Sequence, residues 1–174
     1  MTSTIEHLGR LDILVNNAGS FVTGQVDDPD VDEAALANQL ATNVSGVATL
    51  TRAAVAVLLT GGSIITVGSL GAQRVGYPGL SDYSATKAAL AAYGRGWARD
   101  LGPRQITSNI IQPGAVDTEM NPADGSFGDV ARAITPLGRY GRAEELAALV
   151  AFLAGPEAAY ITGAVINFDG GQSA

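Results

Sequence analysis

The chain has 174 residues, 47% of them apolar, with a formal net charge of −7, no cysteine and a single histidine. That length suits one domain able to bury about 70% of the surface its unfolded form exposes. The acidity (pI about 4.5) excludes a nucleic-acid footprint and a polybasic membrane patch, and the Cys and His counts exclude a disulfide, a cysteine-based metal site and a His-pair metal site.

Ser3-Thr4-Ile5-Glu6 has the pattern of a capping box, with Gly9 closing a short first helix that carries His7 on its surface. Leu11–Val15 is rich in strand formers and ends at the turn composition Asn16-Asn17-Ala18-Gly19. That stretch is too short to span a bilayer or serve as a signal core, so a soluble cytoplasmic protein is expected. A helical pattern runs from about Val31 to Leu59, and Gly61-Gly62 reads as its stop. Ser63–Val67 is a second strand, and the Gly- and Pro-bearing stretch 70–80 is a loop. Helix is predicted again from about Asp82 to Leu101, ended by Gly102-Pro103, and a third strand from Ile106 to Ile111, broken by Pro113-Gly114. The stretch Asn121–Phe127 has the composition of a mobile loop leading into polar helix formers. A helix over Ala143–Ala154 and a last strand over Ala164–Phe168 complete the pattern.

Strands alternating with helices predict an α/β fold, a doubly wound parallel sheet of about four strands with helices on both faces, in a single domain over 1–174. In such sheets chemistry gathers beyond the carboxyl ends of the strands. Asn17, Ser69 and Pro113-Gly114 all fall there. Tyr83 and Lys87, four residues apart, share one helix face. An ammonium beside a phenol lowers its pKa and equips it to trade protons near neutral pH, as carbonyl or alcohol redox chemistry requires.

Taken together, Asn16-Asn17-Ala18-Gly19, Asn43-Val44-Ser45-Gly46, Gly68-Ser69, Tyr83-x-x-x-Lys87, Pro113-Gly114 with Thr118, and Thr162-Gly163 with Asp169-Gly170-Gly171 resemble the short-chain dehydrogenase/reductase family. Pro136-Leu137-Gly138-Arg139 ahead of Glu144-Glu145 is similar to its 3-oxoacyl-carrier-protein reductase group. The resemblance implies a Rossmann-like fold and an oxidoreductase in which Tyr83 is the general acid or base and Ser69 positions the substrate oxygen. It implies that Lys87 supplies the cation and binds the nicotinamide ribose, and that Asn43, at a helix irregularity, holds a water that relays protons to Lys87. It also implies NAD or NADP contacts from Asn17, Ala18, Gly19, Tyr83, Lys87, Pro113, Gly114, Val116 and Thr118.

The family opens with a strand and a glycine-rich turn that are not found here; at ~30 residues per βαβ unit, about two units are missing, so the sequence reads as N-terminally truncated. No G-x-G-x-x-G occurs, and Gly94-Arg95-Gly96 inside a helix reads as a packing site. Without a pyrophosphate cradle the isolated chain is expected to bind the dinucleotide weakly; ~4 kcal/mol turns a micromolar site into a millimolar one. The first strand becomes an apolar edge, which favours a homo-oligomer through that edge or through the two long helices that mediate dimer contacts in the family. Two other readings stay open: the Ser69–Tyr83–Lys87 set running an isomerisation or dehydration without a dinucleotide, and a non-catalytic partner subunit.

Overall fold

Four parallel strands form one sheet in the spatial order β1-β2-β3-β4. They are β1 (Leu11–Asn16), β2 (Leu58–Val67), β3 (Thr107–Pro113) and β4 (Val165–Phe168). The computed structural model describes residues 2–174. Register is regular through the middle: Leu14 lies beside Ile64, Ile64 beside Ser108, and Ile111 beside Ile166.

Side chains alternate across the two faces of a strand, and the core divides accordingly. On one face Leu14, Ile64 and Leu58 pack with Ala54 of α3 (Val47–Val55) and with Leu101 and Trp97 of α4 (Ser81–Leu101). On the other, Ile65, Ile111 and Ile166 pack with Leu149, Val150 and Leu153 of α6 (Ala143–Ala154). The sheet therefore carries helices on both faces. The sheet advances in one direction while its covering helix changes face, so the β2–α4–β3 and β3–α6–β4 crossovers have opposite hands; almost all such crossovers are right-handed.

Gly94 lies against Ile110 of β3 so closely that a Cβ there would overlap Ile110 Cδ1, which accounts for a glycine inside α4. The short α5 (Gly128–Ile134) follows the 121–127 stretch.

Three local expectations are corrected. The helix predicted over 31–59 is three pieces: α2 (Glu33–Leu40), a π-helical turn (Ala41–Gly46) and α3. Strand β2 begins already at Leu58, and Gly61-Gly62 sits inside it as an irregularity. Gly61 has φ +79°, and a Cβ on Gly62 would come within 2.7 Å of the Asp12 carbonyl, so the pair marks a distorted strand rather than a helix stop. Arg104 donates from the β3 side to the carbonyls of Val55 (2.9 Å) and Leu58, satisfying acceptors where α3 gives way to strand. Ser3 lies within α1 (Thr2–Leu8) and makes no capping box; its carbonyl hydrogen-bonds the exposed His7 ring at 2.7 Å. Gly9 closes this helix in the left-handed region, at φ +74°.

Strand β1 is an edge, and Ile13 and Val15 are both exposed on the face opposite α3. No helix among the described residues is long and apolar enough to cross a membrane.

Candidate active site

The carboxyl end of β2 delivers Ser69, and the first turns of α4 deliver Tyr83 and Lys87. Ser69 adopts extended backbone and caps a short 3-10 turn (Leu70–Ala72): its Oγ accepts from Gly71 N at 3.1 Å. That bond fixes the oxygen and leaves the hydroxyl hydrogen free to turn toward the Tyr83 phenol or a substrate oxygen. A Cβ on Gly71 would sit 3.3 Å from Ser69 Oγ and 3.6 Å from Tyr83 Cε1, so Ser69 and Tyr83 meet over this glycine.

Lys87 is 6% exposed. Its Nζ donates to the Val67 carbonyl at 3.3 Å and lies 5.8 Å from the centroid of the Tyr83 ring. It also rests against Gly19, where a Cβ would come within 3.3 Å of both Lys87 Nζ and Asn43 Oδ1. Asn43 is buried in the π-helical turn, a kind of helix irregularity that recurs at functional sites. Its side chain accepts from Ser20 N (2.8 Å) and donates to Ser20 O (2.9 Å) and Thr86 Oγ1 (3.1 Å). The amide is thus committed to tying the loop after β1 to α4.

Burial pushes the Tyr83 phenol above its ordinary value of 10.0; the Ser69 hydroxyl pulls it down, and neighbouring Tyr77 pushes it further up. Burial takes the Lys87 ammonium from 10.5 down to about 8. The net shift of the phenol is thus upward, away from the neutral range expected of it, because burial outweighs the pull of the Ser69 hydroxyl.

Asn17 and Ala18 are exposed at the carboxyl end of β1. Gly114 follows β3 and packs on the C-terminal turn, where a Cβ would lie 2.9 Å from Asp169 Cβ and from Gln172 Oε1. Val116 is buried and pairs with Gly141, and Thr118 closes a local turn with Asn121. The structure thus brings Gly19, Asn43, Ser69, Tyr83 and Lys87 together, and holds Gly114, Val116 and Thr118 in the segment that follows β3. Among the described residues no cluster of His, Asp and Glu is arranged to hold a metal.

Sequence reasoning passed over Gln39 and three aromatic side chains. Gln39, one helical turn before Asn43 and fully buried, accepts from Val22 N at 2.6 Å; its i,i+4 spacing to Asn43 was the available signal. Phe21 lies edge-on to Tyr83, with centroids 4.8 Å apart at 78°, and Tyr77 lies 5.6 Å from Phe127.

A parallel α/β sheet with a Ser–Tyr–Lys group beyond its carboxyl ends defines a Rossmann-type oxidoreductase domain. The enoyl-(acyl carrier protein) reductase family model matches residues 1–173. The chain is 40% identical over 162 residues to the cyclic-di-GMP-binding biofilm dispersal mediator protein of Escherichia coli, covering 93% of this chain and 68% of that protein. It is 38% identical over 175 residues to the 3-oxoacyl-[acyl-carrier-protein] reductase of Salmonella typhimurium, covering 94% and 67%. A short-chain dehydrogenase of Burkholderia cenocepacia, solved in complex with NADP, superposes with a TM-score of 0.95 at 46% identity over 99% of this chain and 70% of that one. This chain belongs to the short-chain dehydrogenase/reductase family and spans about two thirds of the length of these relatives.

Proposed function

We propose that this chain interconverts a carbonyl and an alcohol as an NAD(P)-dependent oxidoreductase. One observation carries the reading most directly: a phenol beside a serine hydroxyl, over a buried ammonium, at the carboxyl ends of parallel strands. In reduction Tyr83 gives its proton to the carbonyl oxygen, which Ser69 holds by a hydrogen bond; in oxidation the phenolate takes that proton back. Lys87 offsets the negative charge left on Tyr83, and Asn43 fixes the wall on which Lys87 rests.

The residues present fit the nicotinamide end of such a cofactor. Gly19 presents bare backbone against the Lys87 ammonium, and Asn17 and Ala18 lie open beside it. We assign the ribose to Tyr83 and Lys87 and the ring to Asn17, Ala18, Gly19, Pro113, Gly114, Val116 and Thr118. When bound, the nicotinamide supplies the hydride or takes it up. NAD and NADP are both candidates for this end of the site.

We place the protein in the cytoplasm as a homo-oligomer of one-domain chains. The exposed Ile13 and Val15 edge and the outer faces of α3 and α4 are the available contacts. Light scattering at micromolar concentration tests the oligomer, and a clean monomer refutes it. Calorimetric titration with NADH and NADPH, followed by ketone-dependent oxidation of the tighter binder, tests the function. Binding of at least one of the two, with ketone-dependent oxidation, is expected; the absence of any ketone-dependent oxidation at saturating cofactor refutes it.

A further inference from the structure

Three stretches far apart in sequence each carry one exposed aromatic side chain: Phe21, from the loop after β1, pairs with Tyr83, and Tyr77, from the loop before α4, pairs with Phe127, from the segment before α5. Each is exposed to about the same extent (40%, 40% and 39%). Phe21 meets the Tyr83 ring directly. Tyr77 pairs with Phe127, and its loop is joined at Gly79 to the loop that carries Phe21.

The Phe21 wall is rigid. The amides on either side of it are clamped, Ser20 N on Asn43 and Val22 N on Gln39, and both acceptor side chains are 1% exposed. Two residues on, Gly24 N donates to Gly79 O at 3.0 Å and joins this loop to the one carrying Tyr77. With residues 20 and 22 turned to the helix, Phe21 projects over the phenol. The clamp accounts for the buried Gln39 Oε1.

We propose that the substrate carries a flat aryl group next to its reacting carbonyl, held between Phe21 and the Tyr77–Phe127 pair while the carbonyl oxygen lies between Ser69 and Tyr83. This rests on the carbonyl-oxidoreductase reading above and adds the substrate class. An aliphatic group of the same size gains only from burial. An aryl ring also gains edge-to-face or offset pairing with the walls, roughly two- to tenfold in affinity per pair.

The test compares acetophenone with cyclohexyl methyl ketone, which share one carbon skeleton and differ in ring saturation. Dissociation constants are measured by NMR titration of the full chain without cofactor, and kcat/KM with NADPH. Acetophenone is expected to bind about tenfold tighter. That preference should collapse toward unity in both Phe21→Leu and Phe127→Leu, each checked for folding by circular dichroism, and survive in Phe152→Leu on α6. Equal binding of the two ketones, binding of neither, or an aryl preference that survives both site variants overturns the proposal. An aryl preference in binding with no turnover of either ketone keeps this proposal and overturns the redox reading. Equal affinity and equal turnover do the reverse.

Discussion

Replacing Lys87 with methionine should stabilise the protein while disabling it. The folded chain holds this ammonium 6% exposed, with the Val67 carbonyl as its hydrogen-bond partner. Burial lowers its pKa from 10.5 to about 8, and a gap of that size is worth about 3 kcal/mol against the charged form. Methionine is of similar length and carries no charge, but leaves the Val67 carbonyl without a donor, a loss of about 1 kcal/mol. The net gain at pH 7 is about 2 kcal/mol, or some 4–8 °C in Tm for a domain of this size. The folded pKa lies below the unfolded one, so the penalty is complete below about pH 8 and is relieved as pH climbs toward 10.5. Wild-type stability should rise across that window and the variant's advantage should vanish over it. Urea titrations of both proteins at a series of pH values measure the difference directly. A variant no more stable at pH 7, or an advantage that stays constant through pH 10, refutes the reasoning.

Tyr83→Phe keeps the ring that meets Phe21 and removes the exchangeable proton. Turnover should fall by roughly 10²–10⁴-fold with an unchanged circular dichroism spectrum, and near-normal turnover would take Tyr83 out of the chemistry. Gly94→Ala drives a methyl group into Ile110. It should cost about 1–3 kcal/mol through overpacking, part of which Ile110→Val in the same chain should restore; thermal melts of the single and double variants decide it.

Much of this architecture was legible because hydrophobic patterning and turn residues agree with it. The α6 helix ends exactly where Gly155-Pro156 stops it, and β1 ends at the Asn-Asn-Ala-Gly turn. The π-helical turn at 41–46 was legible only through the family resemblance, which put Asn43 at a helix irregularity: widening a helix by one residue leaves no compositional trace, since Ala, Thr, Val and Ser occupy helices of either kind. Gly61-Gly62 misled because two glycines stop a helix as readily as they distort a strand; what decides is the Asp12 carbonyl on the neighbouring strand, which sequence order does not reveal. The Asn43, Ser69, Tyr83 and Lys87 group was found through motif order. Phe21, Gln39, Tyr77 and Phe127 were missed because each makes its contact across the fold and is itself part of no motif.

The two burial shifts also set the protonation state from which the proposed chemistry starts near neutral pH. With Lys87 titrating at about 8 and Tyr83 above 10.0, the resting site at pH 7 holds a neutral phenol and a charged ammonium. That is the form that donates a proton to a carbonyl and then stabilises the phenolate left behind. As pH rises through about 8 the ammonium is lost, the phenolate loses its nearest cation, and proton donation becomes harder. The kcat/KM for ketone reduction reports groups of the free enzyme and should decline above about pH 8, well before the phenol itself ionises. Alcohol oxidation begins from the phenolate and should still be rising there. In Lys87→Met the decline near pH 8 should be gone and the residual rate low throughout. A wild-type reduction profile that stays flat to pH 10 would mean that the ammonium plays no part in holding the charge on Tyr83.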